Sequence, residues 1–410
     1  MTASSSSSSR SRSRLSLQPH LLDIVKPEYP RFSDAEYNRR HQLLEAMMER
    51  HDCDYLLVIT DHRAGNAVQW ATAWPGTNEA YLIFKRNEPL TMYVEWFNHV
   101  PLATKIARGI QVQWAEHRGI EKTIEVLKAR GARRVGLIGP LVPGKYLRLA
   151  QQFEMISLEA DYVRARMIKS EEEIDWLKIG AAFSDAGVQA LFDQIQVGMD
   201  ERELGALVDS AYLSHGGTSM IRYIGVTDMQ APHLYVPPQY PSSRKVKNTD
   251  VVFCEISAFW WDYAGQVLRT FYVQQEPTAL YQKLQATAQS VFEAILQQVR
   301  HGATMQSLLQ ASALIEAEGF TTCDDLIHGF GGGYFQPILG SHSRPAGPIP
   351  SLCLEENMTI VVQPNVTTRE EAIKGCGSRA GVQVGELIRV TRTGFERLHQ
   401  LPLQLGVARR

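Results

Sequence analysis

Two hydrophobic periods alternate along the first 160 residues of the chain. Short apolar runs, typical of strands, are separated by longer stretches in which apolar residues recur every three or four positions, as in amphipathic helices. Strands are predicted at residues 55–60, 80–84, 90–94 and 135–139, and helices at 33–50 and 120–130. This alternation predicts a compact α/β domain, and no cluster of catalytic residue types stands out within it.

The pattern changes after residues 164–169, where a long amphipathic helix begins. A second helix opens at Asp200 and Glu203, which have the spacing of a capping box. Helices predicted at 280–300 and 304–318 repeat this order of a longer and a shorter helix further along the chain. The repetition predicts a second domain that is internally duplicated.

Strand patterns lie between and after these helix pairs. Antiparallel pairs are predicted from 251–256 with 267–273 and from 380–384 with 387–391, and a single strand is predicted at 358–363. Helices packed on an antiparallel sheet make an α+β fold. We therefore predict an α+β protein of two domains, with a disordered tail at residues 1–24, an N-terminal α/β domain at 25–162 and a C-terminal duplicated domain at 163–410.

The leader and the composition narrow the class of function. Ser4–Ser9 form a serine homopolymer followed by three arginines, which predicts a solvated tail rather than a transit peptide or a phosphate-binding arm. The 42 basic residues nearly balance the 44 acidic residues, so the net charge of −2 favours neither nucleic acid nor a membrane surface as a partner. Five cysteines without a C-x-x-C pair predict reduced thiols, and no apolar run reaches the ~18 residues of a membrane span. We expect a cytoplasmic protein.

A carboxylate inside an apolar strand is the first sign of chemistry. Glu255 follows the apolar residues 251–254, and ten residues separate it from Gln266. Because that number is even, we expect the two side chains to face each other across an antiparallel pair, on one face of the sheet. A buried carboxylate is costly unless it is paired, so a site role and a structural hydrogen bond to Gln266 or Arg269 both stay open.

Six short motifs follow one another in an order that resembles a known family. They are residues 166–170, Ala231-Pro232-His233, the hairpin 255–273, residues 327–331, Val362-Gln363-Pro364 and Gly381-Val382. This order is similar to that of the creatinase/aminopeptidase family, whose pita-bread fold is shared by methionine aminopeptidase, Xaa-Pro peptidases and creatinase. The resemblance implies a homodimer in which the first domain reaches the partner's cleft.

The chain departs from the family at the metal site. In the metallopeptidases of the family, two divalent ions are held by Asp, Asp, His, Glu and Glu, and the corresponding positions here are Glu255, Gln266, His328, Gln363 and Gly385. One carboxylate remains of four, and an amide oxygen brings no formal charge to balance two divalent cations. We therefore expect neither a tightly held metal pair nor another cofactor. Glu386 is one residue from the last position, but its side chain points to the opposite face unless Gly385 makes a bulge.

The resemblance implies a reaction that needs no metal, because creatinase works without one. His233 falls on the family's substrate-site histidine, which implies a general acid/base, with Glu255 orienting it or the substrate. The leading hypothesis is a creatinase-like hydrolase that cleaves a C–N bond, of an amide, urea-like or guanidino group, in a small polar molecule; a lyase reaction is not excluded. The alternatives are an Xaa-Pro-type metallopeptidase rebuilt around Glu255, His328 and Glu386, and a non-catalytic binding module.

The remaining candidate residues are assigned to substrate contact. A less cationic substrate than creatine is expected, because Gln363 replaces a carboxylate that grips a guanidinium group. Each assignment has a structural alternative, as a core, interface or ion-paired residue. The assigned residues are His328, Gln266, Gln363, Trp260, Tyr263, Arg222 and Arg389.

Overall fold

The computed structural model describes residues 15, 17–61, 65–369 and 379–409, which divide into two compact units. One unit is Leu22–Glu172, and the other runs from Glu173 onward together with the chain up to Leu21. The division falls ten residues after the predicted boundary at 162. The predicted tail reached residue 24, whereas Pro19–Val25 form helix α1 and Leu21 is buried; residues 1–14 lie outside the described residues.

The N-terminal unit is a six-stranded sheet with helices. Its strands are β1 (Tyr55–Thr60), β2 (Ala80–Phe84), β3 (Thr91–Val94), β4 (Gln111–Trp114), β5 (Arg134–Ile138) and β6 (Glu154–Ser157). Its helices are α2 (Asp34–Arg50), α3 (Ala67–Thr72), α4 (Val100–Ile106), α5 (Gly119–Ala129), α6 (Pro143–Ala150) and α7 (Glu159–Met167). The strand order is β4-β3-β2-β1-β5-β6, and apolar residues of β1, β2 and β5 pack with α5 in the core. Four of the six strands and two of the helices were predicted from the hydrophobic pattern.

The C-terminal unit places helices on a nine-stranded sheet. Its helices are α8 (Glu171–Gln194), α9 (Glu201–Ser210), α10 (Ala279–Gln298), α11 (Met305–Ala311) and α12 (Leu314–Ala317). Its strands are β7 (Thr218–Asp228), β8 (Asp250–Trp260), β9 (Tyr263–Val273), β10 (Thr321–Thr322), β11 (Ile327–Phe330), β12 (Tyr334–Leu339), β13 (Thr359–Val362), β14 (Val366–Thr367), β15 (Gly385–Val390), β16 (Phe395–Arg397) and β17 (Val407–Ala408).

The strand order in this unit brings distant segments side by side. The main path is β12-β11-β13-β15-β9-β8-β7, all antiparallel, while β16 pairs with β15 and β17 pairs with β9. Strands β10 and β14 form a separate pair. The predicted mixture of an α/β unit and a helix-on-sheet unit is present; the internal duplication stays a prediction.

Helix α8 packs against one face of this sheet through small residues. Gly180 lies so close to the backbone at Tyr263 that a Cβ atom would come within 2.5 Å of its carbonyl oxygen. Ser184 donates to the carbonyl of Gly265 at 2.6 Å and accepts from the amide of Ala258 at 2.8 Å. Close approach of helix and strands therefore requires small side chains at these positions.

Turns and caps account for some local matches and mismatches with the predictions. Trp261 and Asp262 have φ of 50° and 76°, so a two-residue turn joins β8 to β9 and the strands run further than predicted. The cap pair Asp200 and Glu203 is confirmed as a capping box. The predicted strand at 380–384 is wrong. The strand in this region is β15, which begins at Gly385 and pairs with β13, β9 and β16. Among the described residues, none of the helices has the length and apolar character that crossing a membrane requires.

Candidate functional site

Strand register brings the predicted positions onto one face of the C-terminal sheet. Leu268 of β9 lies opposite Glu255 of β8 and opposite Gly385 of β15. Gln266 is two residues from Leu268, so its side chain projects from the same face. The prediction that Glu255 and Gln266 lie directly opposite is wrong by two residues, because Ser257 is the residue opposite Gln266. The two side chains meet diagonally, with Gln266 Nε2 donating to Glu255 Oε1 at 2.7 Å.

A chain of amides continues this contact into the fold. Gln266 Nε2 also lies 3.4 Å from Gln363 Oε1, and Gln363 Nε2 donates to the carbonyl of Asp325 at 3.2 Å. Both glutamines are almost fully buried, whereas the side chain of Glu255 keeps an accessible part. The amide hydrogens of Gln266 therefore face the oxygens of its neighbours, and its own Oε1 has no hydrogen-bond partner among the described residues.

His328 stands in β11 with one nitrogen unpaired. Its Nδ1 lies 3.2 Å from the carbonyl of Gly329, and its Nε2 is buried without a hydrogen-bond partner among the described residues. The imidazole is stacked on the ring of Tyr334, with 4.0 Å between centroids and 15° between planes. Burial lowers the pKa of His328 to about 4, so the ring is neutral at ordinary pH.

Two carboxylates that the sequence analysis did not single out complete the cluster. Asp324 and Asp325 lie just before β11, separated from it by Leu326, and Tyr334 donates its hydroxyl to Asp325 Oδ2 at 2.9 Å. Burial, followed by the neighbouring Asp325, raises the pKa of Asp324 to about 6. Burial, followed by the charges of Asp324 and Asp325, raises the pKa of Glu255 to about 8. The signal in the sequence was an acidic pair three and four residues before His328.

The donor set of this cluster does not fit a pair of divalent ions. At Gly385 a Cβ atom would lie 2.5 Å from the carbonyl oxygen of Val362 and 2.8 Å from Cα of Gln363, so the backbone leaves no room for a ligand side chain. Gln266 turns its amide hydrogens, which cannot ligate a metal, toward Glu255. Within the described ranges, no three histidine, cysteine or carboxylate residues are arranged to hold a metal ion.

Glu386 does not rebuild the metal site. It lies opposite Val362 and Val267 without a register shift, and its side chain is therefore on the other face of the sheet from Glu255. There it accepts from Arg269 at 2.6 Å and from Arg397 at 2.8 Å. The bulge that would have turned Glu386 toward the cluster is absent from this described stretch of β15.

His233 occupies the edge of the same face. Its Nδ1 lies 2.9 Å from Thr227 Oγ1, its backbone amide donates to the same oxygen at 2.8 Å, and its side chain is exposed. Thr227 is four residues along β7 from Tyr223, the residue opposite Glu255, which corresponds to ~13 Å of strand. Thr227 therefore orients the imidazole of His233. The role of His233 as general acid/base stays a prediction.

Four residues assigned to substrate contact have partners elsewhere. Trp260 and Tyr263 are buried, and both rings pack on Trp176 of α8, at 4.6 Å and 5.6 Å between centroids. Arg222 forms an ion pair with Asp209 of α9. Arg389 donates to Asn357 Oδ1 at 2.6 Å and to Glu396 at 3.2 Å. These contacts hold helices and strands together, whereas Glu255, Gln266, Gln363 and His328 converge on one cluster.

Comparison with known proteins identifies the family. Residues 175–392, more than half of the chain, match the model of metallopeptidase family M24, and the chain belongs to this family. An uncharacterized hydrolase/peptidase (y4tL) of Sinorhizobium fredii is 24% identical over 92% of this chain and 97% of its own length. A Xaa-Pro dipeptidase of Pyrococcus horikoshii is 24% identical over 58% of this chain and 64% of its length.

Solved structures show the same fold. A Xaa-Pro dipeptidase from Bacillus anthracis is similar with a TM-score of 0.76 at 20% identity, covering 90% of this chain and 99% of that one. The prolidase from Pyrococcus horikoshii gives a TM-score of 0.75 at 20% identity, covering 90% and 100%. The predicted family and its pita-bread fold are confirmed.

Proposed function

We propose that this protein is a metal-independent, creatinase-like hydrolase that cleaves a C–N bond in a small polar molecule. The observation that carries the proposal is the Glu255 cluster itself. Glu255 is the one carboxylate left at the family's ligand positions, Gln266 holds it at 2.7 Å, and Asp324 provides a second carboxylate nearby. Membership of metallopeptidase family M24 supports hydrolysis as the reaction, and the donor set that does not fit two divalent ions supports metal independence.

Glu255 and Asp324 are suited to opposite proton transfers. With a pKa of about 8, Glu255 carries a proton at pH 7, and with a pKa of about 6, Asp324 is mostly ionised. In the proposed reaction Asp324 takes a proton from water, whose oxygen attacks the carbon. Glu255 gives its proton to the leaving nitrogen as the C–N bond breaks. The products are the hydrolysed carbon fragment and an amine, and the two carboxyls exchange a proton through solvent before the next turnover.

The pH dependence of the reaction follows from these two groups. Activity should rise as Asp324 loses its proton near pH 6 and fall as Glu255 loses its proton near pH 8. The expected profile of kcat/KM is therefore a bell with its maximum near neutral pH. His328 contributes no step on this profile, because its pKa of about 4 lies below both limbs.

A second candidate function is hydrolysis of Xaa-Pro dipeptides. It is favoured by the relatives and solved structures that carry this name. The scissile bond of such a dipeptide is itself an amide C–N bond, so the two proposals differ in substrate and in metal dependence rather than in bond type. A metal site rebuilt with Glu386 is not available to this candidate, because Glu386 is held by Arg269 and Arg397 on the other face.

Removing metal separates the two candidates. Protein purified without chelator is analysed for metal, then assayed on small amides, ureas, amidines and Xaa-Pro dipeptides before and after treatment with a chelator. We expect less than one tightly bound divalent ion per chain and a turnover that chelation leaves unchanged. Two equivalents of manganese, cobalt or zinc, with activity that disappears on chelation and returns with the metal, would overturn the metal-independent proposal.

A further inference from the structure

Three polar residues near the Glu255 cluster are buried with side-chain atoms that have no hydrogen-bond partner. The atoms are Asn365 Nδ2 and Oδ1, Thr367 Oγ1 and Gln383 Oε1, and none of them has a partner among the described residues. Asn365 and Thr367 are 0% exposed, and Gln383 is 1% exposed. Because a buried polar atom without a partner costs free energy, these three residues, here called the inner cluster, are suited to hold a small molecule.

Strand pairing places the inner cluster on the face of the sheet that carries the Glu255 cluster. Thr367 pairs with Gly381 in antiparallel order. Asn365 and Gln383 each lie two residues from this pair, so their side chains project from the same face as that of Thr367. Gln363, the glutamine that reaches the Glu255 cluster, precedes Asn365 by two residues and shares this face. The inner cluster therefore begins about 6.6 Å of strand beyond Gln363.

Cys323 connects the inner cluster to Asp324. Its backbone amide donates to the carbonyl of Asn365 at 3.2 Å, and its Sγ accepts from Gln383 Nε2 at 3.5 Å. Asp324 is the next residue along the chain, and burial, followed by the charge of Asp324, raises the pKa of the Cys323 thiol to about 12. The thiol is therefore neutral, and one residue separates the inner cluster from the carboxylate that takes the proton in the proposed reaction.

The unpaired atoms determine which kind of molecule the inner cluster can hold. A cation would need acceptors alone and an anion would need donors alone, whereas Asn365 presents both donor hydrogens and an acceptor oxygen. Gln383 adds an acceptor, and Thr367 adds a hydroxyl that can donate or accept. The occupant is therefore a neutral molecule that donates and accepts at once. The burial of all three side chains limits its size to that of water, which makes about three hydrogen bonds to buried polar groups of this kind.

We propose that Asn365, Thr367 and Gln383 bind a buried water molecule and that this site supplies Asp324 with the water consumed in hydrolysis. The second part rests on the proposed function, in which Asp324 takes a proton from water and the water oxygen attacks the carbon of the C–N bond. A substrate that reaches the accessible part of Glu255 covers the open side of the Glu255 cluster and excludes bulk solvent there. The attacking water then comes from the inner side, past Cys323.

A high-resolution crystal structure of the full chain tests the water site directly. We expect an ordered water molecule within hydrogen-bond distance of at least two of the three side chains of the inner cluster. Side chains that bond one another and exclude water would overturn the proposal. Density for a metal ion or an organic molecule in place of the water would overturn it as well.

An apolar triple variant removes the water without changing the proton-transfer pair. Asn365→Leu, Thr367→Val and Gln383→Met together replace every unpaired atom by an apolar group of similar shape, so no polar atom of the inner cluster is left unsatisfied and the chain should fold. We expect the crystal structure of this variant to lack the water. Its kcat should fall about tenfold, with KM within about threefold of the wild-type value and both limbs of the pH profile kept.

Thr322→Val is the matched control for Thr367→Val. Thr322 lies on β10, which pairs with the strand of Thr367, and it is 1% exposed. Its hydroxyl already bonds Ser341 at 2.9 Å, so the same substitution removes a paired group outside the inner cluster. Thr367→Val should lower kcat, whereas Thr322→Val should leave kcat unchanged. Equal falls in kcat for the two variants would overturn the assigned role of Thr367.

Structure and turnover together separate this inference from the proposed function. Water bound at the inner cluster supports the site even if the protein hydrolyses no C–N bond, and in that case the proposed function fails while the site stands. If hydrolysis is found and the triple variant keeps its kcat after losing the water, the supply of water to Asp324 is overturned.

Discussion

The two faces of the C-terminal sheet differ in how their buried carboxyl groups are paired. On one face Glu255 is bonded by a neutral amide and lies near two aspartates, and its pKa is raised to about 8. On the other face, one residue away from Gly385, Glu386 is fully buried between Arg269 and Arg397. Although burial acts to raise its pKa, the hydrogen bond from Arg397 and the charge of Arg269 hold the pKa of Glu386 below its ordinary value.

The second face is built from satisfied ion pairs. Arg269 donates to four backbone carbonyls in addition to Glu386, including those of Gly385 and Pro402. Nearby, Asp185 of α8 accepts from His399 Nδ1 at 2.7 Å and from the amide of Gln400 at 2.7 Å. Paired charges of this kind fix helix α8 and the segment 397–402 on the sheet, whereas unpaired acceptors near Glu255 are suited to a ligand. Because side chains alternate along a strand, the ion-paired residues around Glu386 and the residues around Glu255 lie on opposite faces of the sheet.

Breaking the ion-paired face should produce the largest effect. Glu386→Gln leaves Arg269 charged in a site with no exposure, and removal of one partner of a buried pair costs about 3–5 kcal/mol. We expect this loss in the free energy of unfolding measured by urea titration. Glu356→Gln, which removes an exposed pair with Arg392, should change the same quantity by less than about 1 kcal/mol.

The opposite outcome for Glu386→Gln would contradict the contrast between the two faces of the sheet. A Glu386→Gln protein of unchanged stability that has lost activity and metal content would place this carboxylate in the active site. Such a result would also restore the rebuilt metallopeptidase as the leading function.

Changing the proton-transfer pair should give the next largest effect, on turnover rather than on stability. Glu255→Gln keeps the shape of the side chain but has no proton to give, and Asp324→Asn cannot accept one. Each should lower kcat by about 10²-fold or more, equivalent to about 2.7 kcal/mol, with folding intact. In addition, Glu255→Gln should remove the alkaline limb of the pH profile and Asp324→Asn the acidic limb. A variant that keeps both limbs is incompatible with the assigned role of the residue it changes.

Glu255 should also leave a signature in the pH dependence of stability. Its pKa is raised from an ordinary value of 4.5 to about 8 in the folded protein, so the folded chain holds a proton that the unfolded chain has lost between these values. The stability of the wild-type protein should therefore fall relative to Glu255→Gln as the pH rises from 5 to 9, by on the order of 4 kcal/mol. Thermal unfolding at several pH values measures the difference. Glu386→Gln should show the reverse trend, because the pKa of Glu386 is held below 4.5 in the folded protein: the cost of the substitution should grow as the pH rises through that depressed pKa and reach its full value above about pH 4.5. A difference between Glu255→Gln and wild type that does not vary with pH would show that Glu255 is ionised in the fold.

The sequence predicted which side chains share the face of the sheet with Glu255 along the strands, but not which residues from other segments approach it there. Period-two alternation placed Glu255 and Gln266 together and Glu386 on the other side, because side-chain direction in a strand depends only on local geometry. The exact register depends on the turn at Trp261 and Asp262. Because both residues adopt left-handed φ values, the turn needs only these two residues, and both strands are longer than predicted. Asp324 and Asp325 were not anticipated, because their approach to Glu255 depends on the long-range pairing of β11 with β13 and of β13 with β15.

The roles of long polar and aromatic side chains were also set by tertiary contacts. Trp260, Tyr263, Arg222 and Arg389 have residue types common in ligand sites, but their partners lie on α8, on α9 and before β13. No local pattern distinguishes a stacked or ion-paired residue from an exposed one. The homodimer and the cytoplasmic location stay predictions, since both depend on contacts and surroundings outside a single chain.

Substitution of His233 should have the smallest effect. It tests whether the acid/base residues extend to the edge of the sheet face that carries Glu255. The family resemblance assigns it the proton transfer, whereas its exposure and its pairing with Thr227 favour a contact with substrate at the edge of the site. We expect His233→Ala to lower kcat/KM about tenfold, equivalent to about 1.4 kcal/mol, mainly through KM, and to leave both limbs of the pH profile in place. Thr227→Val is the matched variant, because it keeps the shape of the strand residue while removing the oxygen that bonds the imidazole, and it should give the same or a smaller loss. A 10²-fold fall in kcat for His233→Ala, together with loss of one limb of the profile, would transfer the acid/base role from Glu255 or Asp324 to His233.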